Sequence, residues 1–239
     1  MVADKNPEWV TRRWPFIAGF VALGAAVLLG AIVMARGAGV LRVDAEWMDE
    51  ILEHRSPLWE LPSLTMNFIG GGWFGVFVVP VVTVILLSVF RRFVAAVYSV
   101  TAFALTAGLV QLLKNVFGRA RPEEVLVPSD FGSFPSGHVA NAAALAVVFG
   151  IIVGRAWVWA AGIIYTVLMV LSRTYLGAHW LSDTIGGLLI GAAVAVIVWT
   201  PFAERLHNER FRHPPSGGLM VPALRSRHEN SPCGCRRRR

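Results

Sequence analysis

Residues 156–203 read AWVWAAGIIYTVLMVLSRTYLGAHWLSDTIGGLLIGAAVAVIVWTPFA. Two stretches without charge, 156–172 and 184–203, flank a polar island, Ser172-Arg173-x5-His179-x3-Asp183. A helix of ~17–25 apolar residues crosses a bilayer, so the island joins two spans at one membrane face. Lipid tolerates Arg, His and Asp poorly, which makes them functional suspects.

The same alternation runs upstream. Residues 14–35 lie between Arg13 and Arg36, residues 61–90 between Glu60 and Arg91, residues 93–113 between Arg92 and Lys114, and residues 139–154 end at Arg155. The 61–90 stretch is too long for one straight span. Pro62 and Gly70-Gly71-Gly72 are expected to separate a lead-in segment from a helix of about 72–90. The 139–154 and 156–172 stretches are short and are expected to extend into the polar islands beside them. The expectation is an all-α polytopic membrane protein with six transmembrane helices. A chain of 239 residues that is 55% hydrophobic, with mean hydropathy +0.58, has too little polar surface for a soluble globule. The length of the first run, and five spans behind it, mark it as an uncleaved anchor rather than a signal peptide.

Lys and Arg placement sets the orientation. Lys5, Arg12 and Arg13, then Arg91 and Arg92, then Arg155, then nine tail arginines all fall on one side, expected to be cytoplasmic together with both termini. The link after the first span is acidic (Asp44, Glu46, Asp49, Glu50, Glu53, Glu60) and is expected to face outward. Residues 1–200 form the membrane domain. Residues 201–239, with nine Arg against Glu204, Glu209 and Glu229, read as a flexible basic tail near anionic lipid headgroups. Nothing in it supports a nucleic-acid partner. Cys233 and Cys235 would stay reduced in the cytoplasm, and Cys-Gly-Cys alone is a poor metal signature.

Two further islands precede the first one quoted: Lys114-x6-Arg121-Pro122 and Pro135-Ser136-Gly137-His138. Two passes of about 17 residues, each rising ~25 Å at 1.5 Å per residue, bring Arg173 back to the face that holds His138. All three islands therefore meet at the outer membrane surface. Together they hold Lys, two Arg, two His and one Asp, a set suited to binding and transferring phosphoryl groups.

In order and spacing the islands resemble the type 2 phosphatidic acid phosphatase (PAP2) superfamily, the lipid phosphate phosphatases, over roughly residues 60–200. The resemblance implies a metal-independent phosphatase without cofactor. Its substrate would be a membrane lipid phosphate: phosphatidic acid, phosphatidylglycerol phosphate or a polyprenyl diphosphate, with undecaprenyl diphosphate the leading expectation. His179 is the expected nucleophile, forming a phospho-histidine. Asp183, four residues on, would hold its tautomer and support the imidazolium. His138 would act as general acid and then activate water. Lys114, Arg121 and Arg173 would clamp the phosphoryl oxygens. Ser136 and Gly137 would contribute at a helix N-terminus that starts near Pro135 and points its N–H groups at the phosphate.

Ser172 reads as a packing or backbone residue, and Asn141 as a partner in an interhelical bond. Arg119, Glu123 and Glu124 read as solvated loop charges. Two alternatives stay open: a lipid phosphotransferase passing the group to an acceptor other than water, and a non-catalytic lipid-binding membrane protein.

Overall fold

The computed structural model describes residues 8–36, 40–128 and 130–212, with side-chain environments from Arg13 to Arg210. All regular structure among them is helical. The helices are α1 (Glu8–Ala35), α2 (Arg42–Glu53), α3 (Pro57–Gly70), α4 (Val79–Val89), α5 (Phe93–Phe117), α6 (Gly137–Val153), α7 (Ala156–Tyr175) and α8 (Leu181–Arg212), with a π-helical turn at Phe74–Val78 leading into α4. Four are long and apolar enough to cross a membrane: Arg13–Ala35, Phe93–Phe117, Ala156–Tyr175 and Leu181–Arg210. Pro57–Gly70 and Phe74–Val89, bent by 42°, make a fifth if taken as one broken span. The sixth expected span corresponds to α6, an apolar helix of 17 residues.

Helix α6 is the axis of the bundle, packed against α5, α7 and α8, while α1 lies along α8, α3 along α7 and α4 along α5. Between helices in lipid the hydrophobic effect gives no drive, so small residues that admit close backbone contact carry the packing. The α6–α8 seam shows this. A methyl group on Gly191 would come within 2.0 Å of the Ala140 carbonyl oxygen, and one on Gly187 within 2.3 Å of the Ser136 carbonyl oxygen. Large apolar side chains point outward instead, among them Phe20, Leu28, Ile163 and Val167, all exposed. That is the surface expected of a multi-pass membrane protein.

The break between α3 and α4 falls at the expected glycine run, but the lead-in segment is itself helical and starts at Pro57. Freed carbonyls at the break need donors. Asn141 on α6 supplies them, its Nδ2 donating to the carbonyls of Gly70 at 3.2 Å and Gly75 at 3.0 Å.

The expected tail from Pro201 needs correcting at its start. Helix α8 runs through Pro201 to Arg212. Its far end is anchored by Glu209, whose carboxylate accepts the N–H groups of Val94 at 2.8 Å and Ala95 at 3.1 Å, donors that the first turn of α5 leaves unpaired. The rest of the tail, including Cys233 and Cys235, lies outside the described residues.

Candidate active site

Four helix ends and two loops converge on one cavity of about 830 Å³, lined at its polar end by Lys114, Arg121, Gly137, His138, Arg173 and His179. Lys114 comes from the last turn of α5. Gly118 ends that helix in the left-handed conformation, φ 51°, which glycine adopts at little cost. The chain then turns across the bundle and carries Arg119 and Arg121 with it. Arg173 closes α7, and His179 stands in the short loop before α8.

His179 is 2% exposed. Its Nδ1 lies 2.7 Å from the carbonyl oxygen of Ser133. A carbonyl only accepts, so Nδ1 carries the proton and Nε2 keeps the lone pair. Nε2 is 3.5 Å from Arg121 Nη1. Burial, then the charges of Arg173, Arg121 and Lys114, hold the imidazole well below its ordinary pKa of 6.5. It is therefore neutral at pH 7, the state a nucleophile needs.

Asp183 lies 3.7 Å from His179 Nδ1, beyond hydrogen-bond range. The tautomer is held by the Ser133 carbonyl instead. The bonds of Asp183 go elsewhere: Oδ2 accepts the Trp180 N–H at 2.8 Å, a reach back across the first turn of α8, and Oδ1 accepts from Arg119 at 2.5 Å.

Helix α6 starts at Gly137 with Ser136 as its cap residue, so Pro135 precedes the helix and does not open its first turn. The Ser136 N–H donates to the Asp183 carbonyl at 2.9 Å, which removes it from the donors expected to face a phosphate. The Ser136 hydroxyl is buried without a hydrogen-bond partner among the described residues. Ser136 and Asp183 stand behind the cavity wall, whereas Gly137 and His138 line it.

His138 Nε2 lies 3.2 Å from the Asn67 carbonyl, and the Asn67 side-chain oxygen accepts from Arg173 Nη1. Asn67, on α3, thus ties two site residues to one element. Gly71 makes room for the imidazole, since a methyl group there would sit 2.0 Å from His138 Nε2. Ser172 has the backbone role expected of it, donating to the Ser63 carbonyl at 2.8 Å.

Asp130 and Arg119 are among the features that escaped the sequence reading. Asp130 occupies the cation cluster: its carboxylate accepts from Lys114 Nζ at 2.9 and 2.8 Å and from Arg121 Nη2 at 2.6 Å. Burial alone would raise its carboxyl pKa, but the Lys114 bond and the charges of Lys114 and Arg121 win and hold it below the usual range. Arg119, read as a solvated loop charge, is buried; it pairs with Asp183 and with Asp44 of α2, the latter at 2.6 Å. The signal available for Asp130 was its place in the short loop between two motifs. For Arg119 it was a second arginine two residues before Arg121.

Residues 95–206 match the family described as the PAP2 superfamily. An undecaprenyl-diphosphatase of Sulfolobus acidocaldarius is 32% identical over 124 residues, which make up 48% of this chain and 59% of that protein. Among solved structures, the transmembrane PAP2-type phosphatidylglycerolphosphate phosphatase of Bacillus subtilis has the same fold, with a TM-score of 0.67 at 23% identity over 78% of this chain and 96% of that one. LpxE of Aquifex aeolicus superposes with a TM-score of 0.59 at 28% identity, over 66% of this chain and 95% of that one.

Proposed function

We propose that this chain, whose residues 95–206 match the PAP2 superfamily, is a membrane lipid phosphatase of that kind, working through a phospho-histidine on His179. The observation that carries this reading is the shape of the cavity. Its polar end holds three cations and two histidines, and its walls continue as an apolar groove between α4 (Val81, Val84, Ile85) and α5 (Val100, Phe103, Ala104). A phosphorylated headgroup on a long apolar chain is the ligand that uses both ends.

On this reading the phosphate displaces the Asp130 carboxylate and takes Lys114, Arg121 and Arg173 as its partners. The N–H groups at the start of α6 add to the positive end of that helix. His179 Nε2 attacks phosphorus while the bond to the leaving oxygen breaks, and His138 gives that oxygen a proton. In the second step His138 takes a proton from water, which cleaves the phospho-histidine and releases inorganic phosphate. The charge stabilisation comes from side chains and helix N–H groups, so the proposal requires no metal. The leading substrate is undecaprenyl diphosphate, in line with the archaeal relative's name; phosphatidic acid and phosphatidylglycerol phosphate are the alternatives. With α6 as the sixth span, the termini are cytoplasmic and the site faces the cell exterior.

The test is phosphate release by purified protein in lipid vesicles across that substrate panel. Release is expected to persist in excess chelator, to fall with vanadate, which mimics five-coordinate phosphorus, and to vanish in His179→Ala. Activity lost in chelator and restored by a divalent ion, or substantial turnover in His179→Ala, would overturn the mechanism.

A further inference from the structure

We propose that Asp44, on α2 and outside all three motifs, is a positioning residue of the active site that acts on His179 through Arg119 and Asp183. The inference rests on reading His179 as the nucleophile. Asp44 precedes the family segment by some fifty residues, and the sequence offers it only as one of six acids in an outer link.

The geometry is that of a built cluster. The side chains of Asp44 and Asp183 are 0% exposed and that of Arg119 is 1% exposed. Arg119 Nη2 donates to Asp44 Oδ2 at 2.6 Å, and Nη1 donates to Asp183 Oδ1 at 2.5 Å and to Ser182 Oγ at 2.7 Å. Asp44 also reaches α8 directly. Its Oδ1 accepts the Ser182 N–H at 2.8 Å and its Oδ2 the Ser182 hydroxyl at 2.6 Å. The Trp180 ring covers the guanidinium at 5.6 Å. Every oxygen of Asp44 is thus spent on Arg119 or on the first turn of α8, the turn that sets Asp183 beside His179. An acid there for solubility alone would face water.

The charge count gives the cluster its chemical meaning. One guanidinium faces two carboxylates, which leaves one excess negative charge when both are ionised. Asp183 presents that charge 3.7 Å from His179 Nδ1. On the other sides His179 meets positive groups: Arg121 in the loop, Arg173 from α7 and Lys114 from α5. His138 of α6 shares the cavity, and Asp130 offsets Lys114 and Arg121. When Nε2 bonds to phosphorus, the P–O bond to the leaving group breaks, the leaving oxygen takes the His138 proton, and the His179 ring becomes cationic. In a pocket otherwise positive, the Asp44–Arg119–Asp183 cluster is the counter-charge to that cation. Without Asp44, Arg119 neutralises Asp183 in full.

The experiment compares wild type, Asp44→Asn and Asp44→Glu in two readouts: phosphoenzyme formed in a single turnover of labelled undecaprenyl diphosphate, and the acid limb of kcat/KM, which reports the free enzyme's ionisation. Asp44→Asn keeps an acceptor for the Ser182 N–H and removes the charge. Phosphoenzyme formation is expected to slow by roughly tenfold or more, with KM little changed because Lys114, Arg121 and Arg173 are intact. The acid limb is expected to move to lower pH by roughly half a unit or more, since His179 sits in a less negative field. Asp44→Glu, which keeps the charge, is expected to leave the limb where wild type has it. An unmoved limb in Asp44→Asn, or the same displacement in Asp44→Glu, overturns the proposal. Should Asp44→Asn not accumulate, Asp44→Ser removes the same charge and is read the same way; if neither accumulates while Asp44→Glu does, the charge serves folding and the proposal falls. A wild type that turns over substrate without trapping phosphate on His179 sinks the functional reading, and this one with it.

Discussion

At the scale of residues, the site is a contest for charge. Lys114, Arg121 and Arg173 stand close enough to repel, and Asp130 answers two of them with one carboxylate. Its side chain is 62% exposed, so solvent screens the contact and its strength falls to that of an ordinary surface pair, ~0.2–1 kcal/mol. Removing it frees the clamp. Asp130→Ala is therefore expected to bind inorganic phosphate or vanadate roughly two- to five-fold more tightly, measured as the inhibition constant of each. Weaker inhibition would mean that the carboxylate organises the clamp rather than competing for it. The sequence showed the cations and histidines of the site because their spacing is a pattern. It did not show Asp130, which lies close to Lys114 and Arg121 in sequence but outside the motif spacing, nor Asn67 or Asp44, because each of these two acts through a contact between segments far apart in the chain. Arg119 misled for the same reason: two residues from Arg121, it points the other way, and local sequence does not encode which side of a loop is buried.

At the scale of elements, the break between α3 and α4 does more than shorten a span. Three glycines and a π-helical turn interrupt the backbone where Asn141 can take up its carbonyls and where His138 needs space. The glycine run was legible as a break; its purpose was not, since that depends on a side chain of α6. Gly71→Ala would place a methyl group 2.0 Å from His138 Nε2 and push the imidazole aside. General acid–base catalysis is typically worth ~10²–10⁴-fold, so kcat is expected to fall at least about tenfold while phosphate affinity is nearly kept. Retained kcat would show that the ring can swing clear without loss. Helix α8 makes the complementary point. Composition marked Pro201 as the start of a tail, yet Glu209 fastens the helix to α5 a further two turns on.

At the scale of the whole molecule, the spans were legible because lipid imposes one rule on every helix, and hydropathy records it. The count was harder. With 17 residues, α6 stands at the short end of the ~17–25 residues that cross a bilayer. Orientation is a property of the charges between the spans, and it can be read by labelling. In a background with Cys233 and Cys235 replaced by Ser, Glu123→Cys, in the exposed loop between α5 and α6, is expected to react with an impermeant thiol reagent in intact cells. Arg155→Cys, in the exposed link between α6 and α7, is expected to react only after lysis. The reverse pattern would turn the molecule over in the membrane.

The Asp130 contact also has a pharmacological side. If the cation cluster holds phosphate as proposed, the protein carries its own specimen of a ligand for it, the Asp130 carboxylate. A carboxylate mounted on a long alkyl chain is an ordinary fatty acid, and the apolar groove beside the clamp is suited to such a chain. Long-chain fatty acids are therefore expected to inhibit competitively against the lipid phosphate, while alcohols and amines of equal chain length do not. Equal inhibition by all three would mark a detergent effect. A carboxylate-selective profile would give medicinal chemistry a headgroup that is less charged than phosphate and that no phosphatase can remove.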